Sequence, residues 1–152
     1  MSIADIRQTY KKFELLEESA APEPLAQFGL WLDQALASEV HEPTAMTLAS
    51  ATPDGKPSAR IVLLKGYDER GLVFYTNYLS RKGRELTLNP QASLLFFWAE
   101  LERQVRLEGT VTQIDPAESD AYFRSRPLGS RIGAWVSRQS EVTPRAELES
   151  RT

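Results

Sequence analysis

The chain has 152 residues, 41% of them hydrophobic and 26% charged, which suits one globular domain with a real core. Its net charge of -3 and pI of about 5.3 give no basic footprint for nucleic acid. With no cysteine and one histidine, disulfides, thiolate chemistry and a structural zinc site are excluded as readings.

The N-terminal stretch "MSIADIRQTYKKFELLEES" is charged throughout and has no apolar h-region, so it does not read as a signal peptide. No apolar run approaches membrane-spanning length, and a cytoplasmic protein is the expectation. Residues 1–23 are polar, with Ile3, Ile6, Tyr10 and Phe13 at helical spacing, and are expected to form a mobile N-terminal segment. The domain proper is expected over 24–152. It opens with "PLAQFGLWLDQALASEV", where Leu25, Phe28, Trp31, Leu32, Ala35 and Leu36 form one stripe behind a proline suited to a first helical turn.

From Thr44 the hydrophobic period changes to two. "TAMTLASAT" runs to a turn at Pro53-Asp54-Gly55, "SARIVLLKG" follows, and a second turn at Asp68–Gly71 leads to "LVFYTN". Ser80 then caps a helix that ends near Asn89-Pro90. "ASLLFFWAE" is apolar on both faces. "RQVRLEGTVTQI" alternates, with Val105, Leu107, Gly109 and Val111 on one side and Gln104, Arg106 and Glu108 on the other. Five antiparallel strands with a helix inserted between the third and fourth predict a small closed or split barrel. Asp115 and Glu118 have capping-box spacing for a short helix to about Arg126, which Pro127 ends. A helical turn is expected in "GSRIGAWVS" and a further helix from Thr143-Pro144.

The helix after Ser80 carries Arg81, Lys82 and Arg84 in its first turn, against the helix macrodipole. One reading is a solvated face in which these cations pair with residues such as Glu85. The other is a phosphate site, where free N–H groups at the helix start are joined by guanidinium donors. Arg60 and Lys65 bracket four apolar residues in a strand expected to be covered on both faces. They differ in parity, so on a regular strand they point to opposite sides. Tyr122, Arg126 and Ser130 are spaced by four and would suit a second phosphate if the break at Pro127 lets them converge; a packed tyrosine with an unrelated arginine reads equally well. His41 has no recognisable triad around it, no G-x-G-x-x-G or Walker A pattern occurs, and Trp31, Trp98 and Trp135 read as core.

"RIVLLKGYDERGLVFYTNYLSRKGREL", "ERQVRLEGTV", "YFRSRPLGSRIGAWVSRQS", "IRQTY" and "EPTAMTLAS" together resemble the pyridoxine/pyridoxamine 5′-phosphate oxidase family over nearly the whole chain. The resemblance implies a mainly β fold with flanking helices: an antiparallel, Greek-key-like, FMN-binding split barrel that forms a homodimer with FMN between subunits. It implies oxidation of pyridoxamine or pyridoxine 5′-phosphate to pyridoxal 5′-phosphate, by hydride transfer to the flavin with O2 as acceptor and H2O2 as product. FMN contacts carry over to Arg60, Ile61, Val62, Leu63, Leu64, Lys65, Tyr75, Thr76, Arg81, Lys82, Gln104, Gln139 and Ser140. Substrate contacts carry over to Lys65, Tyr122, Arg126 and Ser130, and to Arg7 and Tyr10 in a segment that folds over the substrate. No metal and no protein nucleophile is implied.

The family pattern is expected to continue past Thr152 with a Trp, an Arg and an Arg-x-His element that help hold flavin and substrate. A chain without them is expected to bind FMN more securely than it turns over. Two alternatives follow: a weakly active module holding FMN or pyridoxal 5′-phosphate, and another split-barrel flavoprotein such as a flavin reductase, which has no need of the second phosphate set.

Overall fold

The computed structural model describes residues 2–128, 130 and 131. Trp135, Gln139, Ser140, most of the turn expected in "GSRIGAWVS" and the helix expected from Thr143 lie outside them. Helix α1 (Pro24–Ala37) starts on its proline, as expected, and buries Phe28, Leu32 and Ala35. Strands β1 (Ala45–Ala51) and β2 (Pro57–Leu63) form an antiparallel hairpin in which Ser50 faces Ser58. Its turn uses Gly55 at φ +86°, a conformation that favours glycine.

The "SARIVLLKG" stretch is two strands rather than one. Leu64 N–H still donates to Thr44 O at 2.9 Å, but Lys65 N–H donates to Val73 O at 2.8 Å. The chain thus changes partner between adjacent residues and enters a second hairpin, β3 (Gly66–Asp68) with β4 (Gly71–Val73). The regular part of "LVFYTN" is correspondingly short. Helix α2 (Arg81–Leu88) comes next, followed by β5 (Gln91–Trp98), a 3-10 turn at Ala99–Leu101, β6 (Arg103–Thr110) and helix α3 (Pro116–Ser125).

The larger sheet has the order β2-β1-β5-β6, all neighbours antiparallel, and the β3-β4 hairpin stands apart from it. One face of the sheet is the core: Met46, Leu48, Phe96 and Trp98 are almost fully buried beneath Phe28, Leu32 and Leu86 from the helices. Phe28 lies 5.3 Å from Phe96 and meets Tyr67 of the small hairpin edge-on at 5.2 Å, so one ring of α1 ties the two sheets together. Trp98, a core residue as expected, also satisfies its indole N–H on Pro43 O at 2.9 Å.

The other face is open in the single chain. Ile61 and Leu63 of β2 are 64% and 39% exposed and Phe97 of β5 is 57% exposed, so β2 is covered on one face, that of Val62, and not on both as expected. Residues 2–23 contain one 3-10 helix, Ile3–Asp5, and a hydrogen-bonded turn in which Ser19 and Ala20 N–H donate to Leu16 O. The segment is tethered between these, where Lys11 and Lys12 N–H both donate to Glu102 at 2.8 Å and Arg103 stacks between Phe13 and Trp31. Among the described residues no helix is long and apolar enough to cross a membrane.

Candidate functional site

Helix α2 begins where the sequence predicts, and its start is held tightly. Ser80 is fully buried; its hydroxyl accepts from Gly83 N–H at 3.2 Å and donates to Asn77 O at 2.6 Å. Gly83 allows the 77–78 backbone to lie against the helix, since a Cβ there would sit 2.6 Å from Asn77 O and closer still to Tyr78 O. This close approach sets where Arg81 and Lys82 emerge.

The basic cluster is only partly a solvated face: Arg81 and Arg84 are exposed, and Arg81 pairs with Glu85 as the first reading expects, whereas Lys82 is buried. Lys82 is 8% exposed, and burial together with the nearby Arg60 charge lowers its pKa. Arg84 donates to Leu79 O at 2.6 Å. Arg81 Nε donates to Glu85 Oε1 at 2.8 Å. Glu85 in turn lies against the inner face of the large sheet, with 5% of its side chain exposed. Its Oε2 accepts from Ser50 at 2.6 Å, from Ser58 and, at 3.3 Å, from Arg60. Arg60 also donates to Ser50 Oγ and Ser58 Oγ, both at 2.6 Å, and to Leu48 O at 3.2 Å. The hydroxyls of Ser50 and Ser58, then the two guanidinium groups, hold the Glu85 carboxyl at about pKa 2. Arg60 and Arg81 therefore share one carboxylate, and together the three groups carry a net positive charge.

A second group gathers around Tyr75. Its ring stacks on Tyr122 of α3 at 3.7 Å and 2°, and Lys65 Nζ lies 5.8 Å from the centre of the Tyr122 ring. Burial, with Glu118 and Tyr122 nearby, raises the Tyr75 pKa. Asp115 caps α3 by accepting from Ala117 N–H at 2.7 Å. The partner change after Leu64 is what separates Lys65 from Arg60 and delivers it to this group. Arg126 is half-buried and Ser130 exposed, and the contacts among the described residues do not join them to Tyr122.

Other predicted residues lie elsewhere. Gln104 is exposed on β6 opposite Phe97, on the same outer face as Ile61 and Leu63 but at the far edge of the sheet. Arg7 and Tyr10 are exposed. A cavity of about 870 Å³ runs between residues 71–76, the inner face of β5 and β6, and the 111–115 segment; of the predicted residues it takes in only Tyr75 and Thr76. Thr76 Oγ1 is buried without a hydrogen-bond partner. Sequence reasoning treated Glu85 only as a surface partner and missed Ser50 and Ser58. Their signals were the four-residue spacing from Arg81 and the symmetric placement of the two serines about the Pro53–Gly55 turn.

A family model described as pyridoxamine 5′-phosphate oxidase matches residues 32–151. A relative named pyridoxine/pyridoxamine 5′-phosphate oxidase from Bordetella petrii is 66% identical over 99% of this chain and 72% of its own length. The chain belongs to the pyridoxamine 5′-phosphate oxidase family. Another relative of that name, from Thermosynechococcus vestitus, is 63% identical over 98% of this chain and 71% of its own length. Among solved structures, PhzG from Burkholderia lata, in complex with tetrahydrophenazine-1-carboxylic acid, superposes with a TM-score of 0.85 at 32% identity, over 93% of this chain and 72% of that one. An FMN-binding protein from Nostoc punctiforme, related to pyridoxamine 5′-phosphate oxidase, shares the fold at a TM-score of 0.64 and 19% identity, over 86% of this chain and 72% of its own. The architecture, a sheet of four strands and a hairpin of two with flanking helices, is that family's split barrel.

Proposed function

We propose that this chain is an FMN-dependent oxidase that converts pyridoxamine or pyridoxine 5′-phosphate to pyridoxal 5′-phosphate, with O2 as acceptor and H2O2 as product. The observation that carries the reading is the presence of two separate polar clusters suited to phosphoryl groups: Arg60–Glu85–Arg81 at the start of α2, and Lys65 with Tyr122 beside Tyr75. The relatives' names support the same reaction.

The residues present fit FMN. Arg81 keeps both terminal nitrogens without a partner among the described residues, and the Thr76 hydroxyl has hydrogen-bonding capacity to spare. Arg81 and Lys82 would hold the phosphate with Arg60 behind them. Ile61–Lys65, Tyr75, Thr76, Gln104, Gln139 and Ser140 would hold the rest. Bound FMN supplies the two-electron acceptor for the oxidation. Lys65, Tyr122, Arg126 and Ser130 would bind the substrate phosphate and so fix the reacting carbon, while Arg7 and Tyr10 would exclude water from above.

The outer face of the sheet fits a second copy of the chain. Ile61, Leu63 and Phe97 leave it apolar, and Gln104 lies on it, so a homodimer seated there would bring flavin-site residues to the boundary between subunits.

A second reading follows from PhzG, whose aromatic carboxylate ligand carries no phosphate: the same barrel would then oxidise a different anionic ring. The test is to load the purified chain with FMN, add pyridoxamine 5′-phosphate in air, and follow H2O2 and pyridoxal 5′-phosphate together. Equal amounts of both are expected. A flavin spectrum without peroxide would leave a binding module or another substrate, and no flavin uptake would overturn the proposal.

A further inference from the structure

Glu85 stands where an anion-binding cluster would least be expected to place a carboxylate. Its charge repels any phosphate that Arg60 and Arg81 attract, and it occupies donors of both. Its bonding explains the placement. One oxygen is gripped from β1 and β2 by Ser50, Ser58 and Arg60, so the carboxylate cannot swing away. The other oxygen takes, among the described residues, only the Nε–H of Arg81, at 2.8 Å. The Arg81 side chain is otherwise 59% exposed, and its two Nη groups have no partner among the described residues. Held at Nε alone, the guanidinium presents its fork outward.

We infer that Glu85 is a positioning residue that aims the Arg81 fork at the flavin phosphate; this rests on the FMN reading above. Rigid sheet hydroxyls fix Glu85, Glu85 fixes Arg81, and Arg81 then meets a dianion with two charge-assisted bonds already oriented. The competing effect is plain repulsion between carboxylate and phosphate. The guanidinium stands between the two, and the carboxylate is already engaged by two cations, so orientation outweighs repulsion. A glutamine at this position cannot replace the carboxylate, because either orientation of its amide sets an NH2 group against a guanidinium N–H.

The experiment is a fluorescence titration of the full chain with FMN and with riboflavin, which has the same ring and no phosphate. The wild-type chain is expected to prefer FMN; equal affinities would overturn the phosphate reading before Glu85 is in question. Glu85→Gln is expected to weaken FMN about tenfold, as for loss of one charge-assisted contact, and to leave riboflavin unchanged. In the double variant with Arg81→Ala, FMN binding should be no weaker than in Arg81→Ala alone, because Glu85 acts through Arg81. Unchanged or tighter FMN binding, equal loss for both ligands, or additive losses in the double variant would each overturn the inference. If Glu85→Gln does not fold, Ser58→Ala decides: it loosens the carboxylate without removing its charge, and should weaken FMN about two- to threefold with riboflavin unmoved. An equal effect on the two ligands, or none on either, would overturn it.

Discussion

A carboxylate with 5% of its side chain exposed needs donors in place of water, and Glu85 meets four: two hydroxyls and two guanidinium groups. The consequence for stability has a definite sign. The folded pKa is about 2, below the carboxyl's ordinary value of 4.5, so the contribution is fully present above about pH 5 and is lost as pH falls toward 2. At its largest it is about 3 kcal/mol. In urea unfolding at a series of pH values, Glu85→Gln should therefore be less stable than wild type at pH 7, with the gap closing between pH 5 and pH 2. A gap independent of pH would contradict the assignment. Residue identity alone hid this role, because burial of Glu85 depends on serines that are distant in sequence and brought together only by the β1–β2 register.

At the scale of elements, α2 shows why three cations are tolerated in a first turn. The macrodipole penalty is only a few tenths of a kcal/mol each. Against it stand the Ser80 cap, the Arg84 bond to Leu79 O and the Arg81–Glu85 pair. The helix is also fixed in place by the 77–78 backbone, which packs where a Gly83 side chain would be. Gly83→Ala should destabilise the fold by roughly 1–3 kcal/mol, despite the higher helix propensity of alanine. Thermal unfolding checks this, and a raised midpoint would show that the loop moves aside freely. Elements with a clear period were legible: α1 by its stripe (from which Leu36 departs, being exposed), β1 and β6 by alternation, α2 and α3 by their caps. The division of "SARIVLLKG" was not, because no local feature of Leu64 or Lys65 announces that their N–H groups bond to different sheets. For the same reason the parity argument about Arg60 and Lys65 reached the right separation without its cause.

At the scale of the molecule, the outer face of the large sheet leaves apolar side chains uncovered in the single chain. Ile61 and Phe97 are more than half exposed there, and the four-stranded sheet presents an edge at β2. If a second copy covers this face, Ile61→Glu should leave the single chain folded, since that side chain is already 64% exposed, yet shift sedimentation from dimer to monomer and weaken flavin retention. An unchanged dimer would place the interface elsewhere. Two clusters form within one chain, whereas Gln104, Arg7 and Tyr10 stay outside both, and a second copy on this face would account for that separation.

The claim on which the functional reading depends is that two phosphates bind at two different places. Phosphorus NMR of the chain with FMN and pyridoxal 5′-phosphate together measures this directly. Two bound resonances are expected, with Arg81→Ala removing only that of FMN and Tyr122→Ala with Arg126→Ala removing only that of the vitamer. A single bound resonance, with one ligand displacing the other, would contradict it.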